Sequence, residues 1–278
     1  MRHTALLLLL ATAPAISQTQ PRQVAEVLAP ELQTPDVVAF QLRNYLMRKA
    51  PRLPEVRNAE EWTAEGRRLR RRVLEEVVFD GWPREWVEAT PRFEDLGLVP
   101  SGKGYRMRKL RYEIVPGFFS TAILYEPEIL RGKVPAVLNV NGHVGAPGKA
   151  IEYKQKRCIH QALQGMLALN LEWIAMGELT AKENQHWFGA HLDLVGANAA
   201  GLFYLAMRKG FDYLGQHPQA DQSRIGVTGL SGGGWQTIVL SALDERVTVA
   251  IPVAGYSAIV ARIERPADTG DIEQNATD

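Results

Sequence analysis

The stretch Arg224-Ile225-Gly226-Val227-Thr228-Gly229-Leu230-Ser231-Gly232-Gly233-Gly234-Trp235 restricts the fold of this chain more than any other segment. Arg224 to Thr228 reads as a strand and Gly232 to Leu243 as a helix, so only a sharp turn fits between them. Inside the turn lies Gly229-x-Ser231-x-Gly233. A serine at the tip of such a turn is held in a strained backbone conformation that exposes its hydroxyl. A side chain at either flanking glycine would collide across the turn. The N-terminus of the following helix stands beside the serine, and its N–H groups favour a developing negative oxygen. A glycine-rich connection with a bystander serine is the plainer alternative. The strand before and the helix after favour a nucleophile.

A second segment belongs with the first. Pro135 to Val140 is a mostly apolar run that enters the Gly-rich loop Asn141-Gly142-His143-Val144-Gly145. Val134 to Val140 suits a strand buried on both faces. Strand and helix then alternate: helix Ile151 to Leu169, strand Leu171 to Met176, helix Leu192 to Leu214, strand Arg224 to Thr228, helix Gly232 to Leu243, strand Val247 to Val253. Tyr105 to Ile114 and Phe118 to Tyr125 read as an antiparallel pair about Pro116-Gly117. The expected fold is α/β, a doubly wound and mostly parallel sheet with helices on both faces. In such a sheet the loops at the carboxyl ends of the strands gather at one edge, where ligands bind. The 141–145 loop is therefore expected to bring the N–H of His143 beside that of Gly232 as a second oxyanion donor. The His143 side chain itself need only line the cleft.

The N-terminal part reads differently. Met1-Arg2-His3, the apolar run Ala5 to Ala11 and the small-x-small Ala15-Ile16-Ser17 fit a secretory signal peptide over residues 1–17, cleaved before Gln18. The run is far short of the roughly 20 apolar residues of a membrane span. The expected location is secreted or periplasmic, with no membrane association once the signal is removed. Residues 18–102 are expected to form a helical segment, and 103–278 the sheet domain. Asp36 to Arg48 reads as a short helix. Asn58 caps a longer one to Val78, with Glu61 three residues on and Trp62, Leu69, Val73 and Val77 as its buried stripe. The arginines at 67, 68, 70, 71 and 72 are offset by Glu60, Glu61, Glu75 and Glu76 and read as a solvated face rather than an anion site. Lys+Arg is 32 against Asp+Glu 31, so the basic excess of a nucleic-acid binder is missing. One cysteine, Cys158, excludes an internal disulfide and a multi-cysteine zinc site; it is expected to be buried.

On the elbow Gly229-Leu230-Ser231-Gly232-Gly233, the Asn141-Gly142-His143 loop and the arginine-rich helix Trp62 to Val78, residues 103–254 resemble the α/β-hydrolase fold. The likeness is nearest to secreted bacterial serine esterases of the acetyl xylan esterase and dienelactone hydrolase type. The resemblance implies hydrolysis of a carboxylic ester through an acyl-enzyme on Ser231, with a small-molecule or carbohydrate ester as substrate and no metal or organic cofactor. It also implies the chain order serine, acid, histidine. All six histidines (3, 143, 160, 186, 191 and 217) precede Ser231. The simplest account is that the 278 residues are the front part of a longer protein, with later strands, acid and base beyond them. A pseudoenzyme, or a base from upstream, are the alternatives.

Upstream, His186, Trp187, Phe188 and His191 follow the fourth strand and are expected to line the substrate cleft, with Glu178 helping to shape it. No metal is expected there, because two histidines five apart do not share a helix face. Among later carboxylates, Glu264, Asp268 and Asp271 are given no acid role. A prolyl-oligopeptidase-like peptidase shares the elbow, but the roughly 85 residues before Lys103 are too few and too helical for a propeller. A noncatalytic module that has kept the elbow is the reading from outside the enzymes. The strand Val247 to Val253 is expected to be an open apolar edge, making the 278-residue chain aggregation-prone and nearly inactive by itself.

Overall fold

The computed structural model describes residues 21–181, 185–256 and 258–265. The leader read over 1–17 lies outside them, as do Asp268 and Asp271. The chain divides into two compact units at Pro51. The described part of the first holds α1 (Pro21–Leu28) and α2 (Pro35–Lys49), the latter covering the expected Asp36 to Arg48.

From Arg52 onward the second unit opens with α3 (Ala59–Val73). Asn58 caps it by accepting the Glu61 N–H at 2.9 Å. The expected stripe is corrected here. Trp62 is half exposed, and the residues that turn inward are Leu74 and Val78. The helix widens into a π turn over Leu74–Val78. Leu74 and Val78, four residues apart, face inward together, and Leu74 already stands about a third of a turn from the row of Trp62. Arg67, Arg68, Arg71 and Arg72 are exposed, with Arg68 on Glu65 and Arg72 on Glu76, whereas Arg70 is partly covered and meets Glu245 and Ala242 O.

After the short α4 (Arg84–Val87) come, among the described residues, seven strands. They are β1 (Phe93–Pro100), β2 (Tyr105–Val115), β3 (Phe118–Pro127), β4 (Val134–Asn139), β5 (Leu167–Leu171), β6 (Ala220–Leu230) and β7 (Val249–Val253). Their order is β1-β2-β3-β5-β4-β6-β7. The sheet is mixed: antiparallel from β1 to β5, parallel from β5 through β4 and β6 to β7. It starts ten residues earlier than expected, because β1 falls inside the stretch read as helical.

Three helices cover the parallel half: α5 (Glu152–Leu163), α6 (Ala199–Gln216) and α7 (Gly232–Leu243). The connection through α5 runs from β4 to β5 on one side, and that through α6 returns past β4 to β6 on the other. Right-handed crossovers in opposite directions put α5 on one face and α6 with α7 on the other. The apolar clusters follow. Leu167, Leu169 and Leu171 pack with Leu138, Leu205, Met207, Phe211 and Leu214 in the larger one. Tyr125, Cys158, Ala162 and Ala168 form the smaller one under α5. Each large side chain so buried contributes about 1.5–3 kcal/mol.

Several boundaries differ from expectation. The helix read as Ile151 to Leu169 ends at Leu163, and the strand read as Leu171 to Met176 is Leu167–Leu171. Gly165 takes φ +84°, a left-handed turn that glycine adopts without strain, and stops the helix. The helix read from Leu192 begins at Ala199, where Asn198 caps it by accepting the Gly201 N–H at 3.1 Å. Residues His186–Val195 before it wind as 3₁₀ turns, closed by Gly196 at φ +78°. The order of β5 and β6 about β4 makes the carboxyl end of β4 the switch point of the sheet, and the crevice of such a sheet opens there.

Candidate active site

The carboxyl ends of β4 and β6 carry the two Gly-rich segments. Ser231 links β6 to α7 at φ +60° and ψ −120°, a conformation that costs a residue with a side chain about 1–3 kcal/mol. The surroundings hold it there. Its N–H donates to Val253 O of β7 at 2.9 Å, and its carbonyl accepts the Trp235 N–H at 3.0 Å. The side chain is exposed at the top of the turn.

The glycines let three backbones meet. A Cβ on Gly229 would strike Gly233 O, and one on Gly233 would lie 2.5 Å from Val140 O. A Cβ on Gly232 would enter the Trp173 ring. On the opposing loop, a Cβ on Gly142 would lie 2.8 Å from Leu230 O and 2.9 Å from Gly232 N. Gly142 therefore rests directly on the elbow, one residue from His143.

That loop is fastened from below. The Asn141 side-chain amide donates to Asn170 Oδ1 at 2.7 Å and to Leu171 O, and Asn141 O accepts from Gln236. Gly142 O accepts from Lys154 Nζ at 3.2 Å. Lys154 is 1 % exposed, and burial pulls its ammonium down to about 8 although the Glu172 carboxylate opposes the change.

The aromatic floor is Trp173, buried directly after Glu172 at the end of β5. The rings of His143 and His186 lie 4.4 and 5.1 Å from it. His143 Nε2 and His186 Nδ1 share a hydrogen bond of 3.0 Å. His186 Nε2 lies 2.9 Å from Ile174 O, and a carbonyl can only accept, so that nitrogen carries the proton. With a neutral His186 ring, Nδ1 is the acceptor and His143 Nε2 the donor. Beyond the pair opens a cavity of about 290 Å³ lined by Ile174, His186, Phe188, His191, Leu202 and Phe203. His191 Nδ1 meets Phe188 O at 2.8 Å. Trp187 stands outside the cavity lining and is more than half exposed.

Glu178 sits elsewhere. It meets Lys149 Nζ at 2.6 Å and bonds Thr121, and Lys149 in turn meets the buried Glu172 at 3.0 Å. Lys149 holds the Glu178 carboxyl below its ordinary range. These residues line a separate cavity of about 360 Å³ with Lys109 and Pro147. Cys158 is fully buried, and burial pushes its thiol up to about 12. Among the described residues no cluster of three or more metal-ligating side chains occurs, and no helix is long and apolar enough to cross a membrane.

The sequence reading brought together Ser231, Gly232, His143 and His186 but missed Trp173, Lys154, Lys149 and Glu172. One signal was available. Lys154, Cys158 and Ala162 fall at i, i+4 and i+8 on α5, so a lysine occupies the helix's buried face.

No protein-family model and no curated protein sequence matches the chain. Solved structures do. One is a Bacteroides fragilis protein assigned as an acetyl xylan esterase, with TM-score 0.62, 20 % identity and 78 % of this chain covered against 59 % of that one. Another is a methylesterase, with TM-score 0.60, 22 % identity and coverage of 80 % and 47 %. A third is an acetyl xylan esterase from Paenibacillus, with TM-score 0.51, 20 % identity and coverage of 77 % and 63 %. The chain thus spans about half to two thirds of the length of these structures. The likeness establishes the α/β-hydrolase fold.

Proposed function

We propose that the chain is the serine-bearing part of a carboxylic ester hydrolase, with a carbohydrate ester as substrate. The observation that carries the reading is Ser231 itself: exposed, strained at φ +60°, and faced by the Gly142–His143 loop against Gly232. Ser231 Oγ attacks the ester carbonyl, and its proton passes to a base. The backbone N–H groups of Gly232 and His143 stabilise the oxyanion. Collapse expels the alcohol, which takes up that proton. Water then attacks the acyl-enzyme, one of its protons returning through the base to Ser231 Oγ and the other passing to solvent as the product leaves as a carboxylate. The chemistry uses no metal or organic cofactor.

We propose that the base comes from outside the described residues. His143 and His186 are bonded to one another and His191 to Phe188 O. His160 lies in the last turn of α5 and His217 after α6, both at the opposite end of the strands from Ser231. The cavity beside His186 suits an apolar part of the substrate, with Phe188, Leu202 and Phe203 in its wall. The acetyl xylan esterases among the similar structures support a carbohydrate ester, and the methylesterase supports an ester. The leader read over 1–17 supports export.

Turnover of an aryl acetate, an acetylated xylo-oligosaccharide and a peptide anilide by the full protein, with and without Ser231→Ala, tests the proposal. Ester hydrolysis that disappears in the variant is the expected result. Anilide cleavage exceeding ester cleavage, or unchanged ester turnover by Ser231→Ala, overturns it.

A further inference from the structure

Lys154 is a cation buried to 1 % exposure whose ammonium reaches the backbone of the loop resting on the elbow. Lysine is seldom fully buried unless paired, since desolvating the ammonium is costly. Here its acceptor is Gly142 O at 3.2 Å. Gly142 C=O and His143 N–H belong to one planar trans peptide and so point in opposite directions. Lys154 reaches this peptide from α5, while Leu230 and Gly232 of the elbow approach Gly142 so closely that an added Cβ would lie 2.8 Å from Leu230 O and 2.9 Å from Gly232 N. A carbonyl held by Lys154 turns the His143 N–H away from that ammonium. The charge also polarises the peptide and strengthens that N–H as a donor.

We propose that Lys154 is a positioning residue of the oxyanion hole: its hold on the Gly142 carbonyl aims the His143 N–H at the oxygen that forms over Ser231. This rests on the reading of Ser231 as nucleophile given above. The charged groups facing the ammonium are Glu172, which favours its charge, and Arg157 on its own helix, which opposes it. Glu172 is itself held by the Lys149 N–H at 2.8 Å and Lys149 Nζ at 3.0 Å. The device therefore weakens as pH rises through about 8, where Lys154 gives up its charge.

The test compares the parent, Lys154→Met, Lys154→Arg and Ser231→Ala in the full protein with an aryl acetate. Methionine fills the buried space without charge or donor. Loss of one oxyanion donor costs about 100- to 1000-fold in kcat. Lys154→Met is expected to fall by about 10- to 1000-fold in kcat, with KM within a fewfold of the parent. Its kcat also loses the parent's decline near pH 8, and Lys154→Arg recovers part of the rate. A kcat within threefold of the parent, or a change confined to KM, overturns the proposal while Ser231→Ala remains inactive. An active Ser231→Ala overturns instead the reading on which it rests. If Lys154→Met does not fold, the carbonyl carbon of Gly142 in the parent is followed by carbon-detected NMR from pH 7 to 10. A shift that titrates near 8 supports the proposal, and a pH-independent shift overturns it.

Discussion

Replacing Gly233 by alanine places a methyl group 2.5 Å from Val140 O, 3.1 Å from Val140 C and 3.2 Å from Asn141 C. Ordinary contact begins near 3.4 Å, so the end of β4 and the start of α7 must separate by about 0.9 Å (3.4 − 2.5). All three neighbours are backbone, so no rotamer change relieves the clash. Overpacking of this kind costs about 1–3 kcal/mol. At roughly 2–4 °C per kcal/mol for a unit of this size, the melting temperature falls by about 2–12 °C. The same shift moves Gly142 off Gly232, and a misplacement on the order of 1 Å at a reacting centre costs about 100-fold in rate. Gly215→Ala is the control: it lies in α6 with nothing within 4 Å of its added methyl, and should be neutral or stabilising by up to about 1 kcal/mol. Thermal unfolding and the rate of labelling by a fluorophosphonate read both effects. If Gly233→Ala melts and labels like the parent, the close approach of strand and helix is not what demands glycine there.

Ser231→Gly should raise the melting temperature by a few degrees, since glycine adopts φ +60° without the roughly 1–3 kcal/mol strain, while labelling disappears; an unchanged or lower melting temperature contradicts the strain. Trp173→Ala should cost about 3–5 kcal/mol, because the buried ring supports Gly232, His143 and His186 together; a loss under about 1 kcal/mol in chemical denaturation would show that the floor collapses freely. Lys154 has a folded pKa of about 8 against an ordinary 10.5, so the unfolded chain binds more protons between those values and stability rises with pH across that window, by about 3 kcal/mol at most. Lys154→Met should flatten that rise in urea titrations at pH 7.5 and 10, and an unchanged slope counts against the burial. Val249, Ile251 and Val253 on β7 are all exposed, and Ile251→Lys should lower binding of an apolar-surface dye and slow aggregation; unchanged dye binding would place the exposed patch elsewhere.

Local chemistry was legible in the sequence wherever it determines local structure. Asn58 and Glu61 gave the start of α3, Pro116-Gly117 the hairpin of β2 and β3, and the run from Arg224 the elbow and the limits of α7. The misplaced elements are those decided by the rest of the molecule. Leu167 to Leu171 alternates, but its apolar spacing continues that of the preceding helix until Gly165 is known to turn left-handed. Phe93 to Pro100 carries Glu94, Asp95 and Gly97 and becomes a strand by pairing with β2, where Arg108 meets Asp95. The site divides the same way. Ser231 and Gly142 announce themselves by their glycine neighbours. Trp173, Glu172 and Lys154 act through contacts across the sheet edge that no sequence spacing encodes.

The central claim is that Ser231 Oγ is the nucleophile, and mapping the covalent adduct of the full protein tests it most directly. The full protein is incubated with a fluorophosphonate, digested, and read by tandem mass spectrometry, with Ser231→Ala beside it. The account predicts one adduct, on the peptide carrying Gly229-Leu230-Ser231-Gly232-Gly233, and none in the variant. An adduct on another residue, or equal labelling of Ser231→Ala, would contradict it.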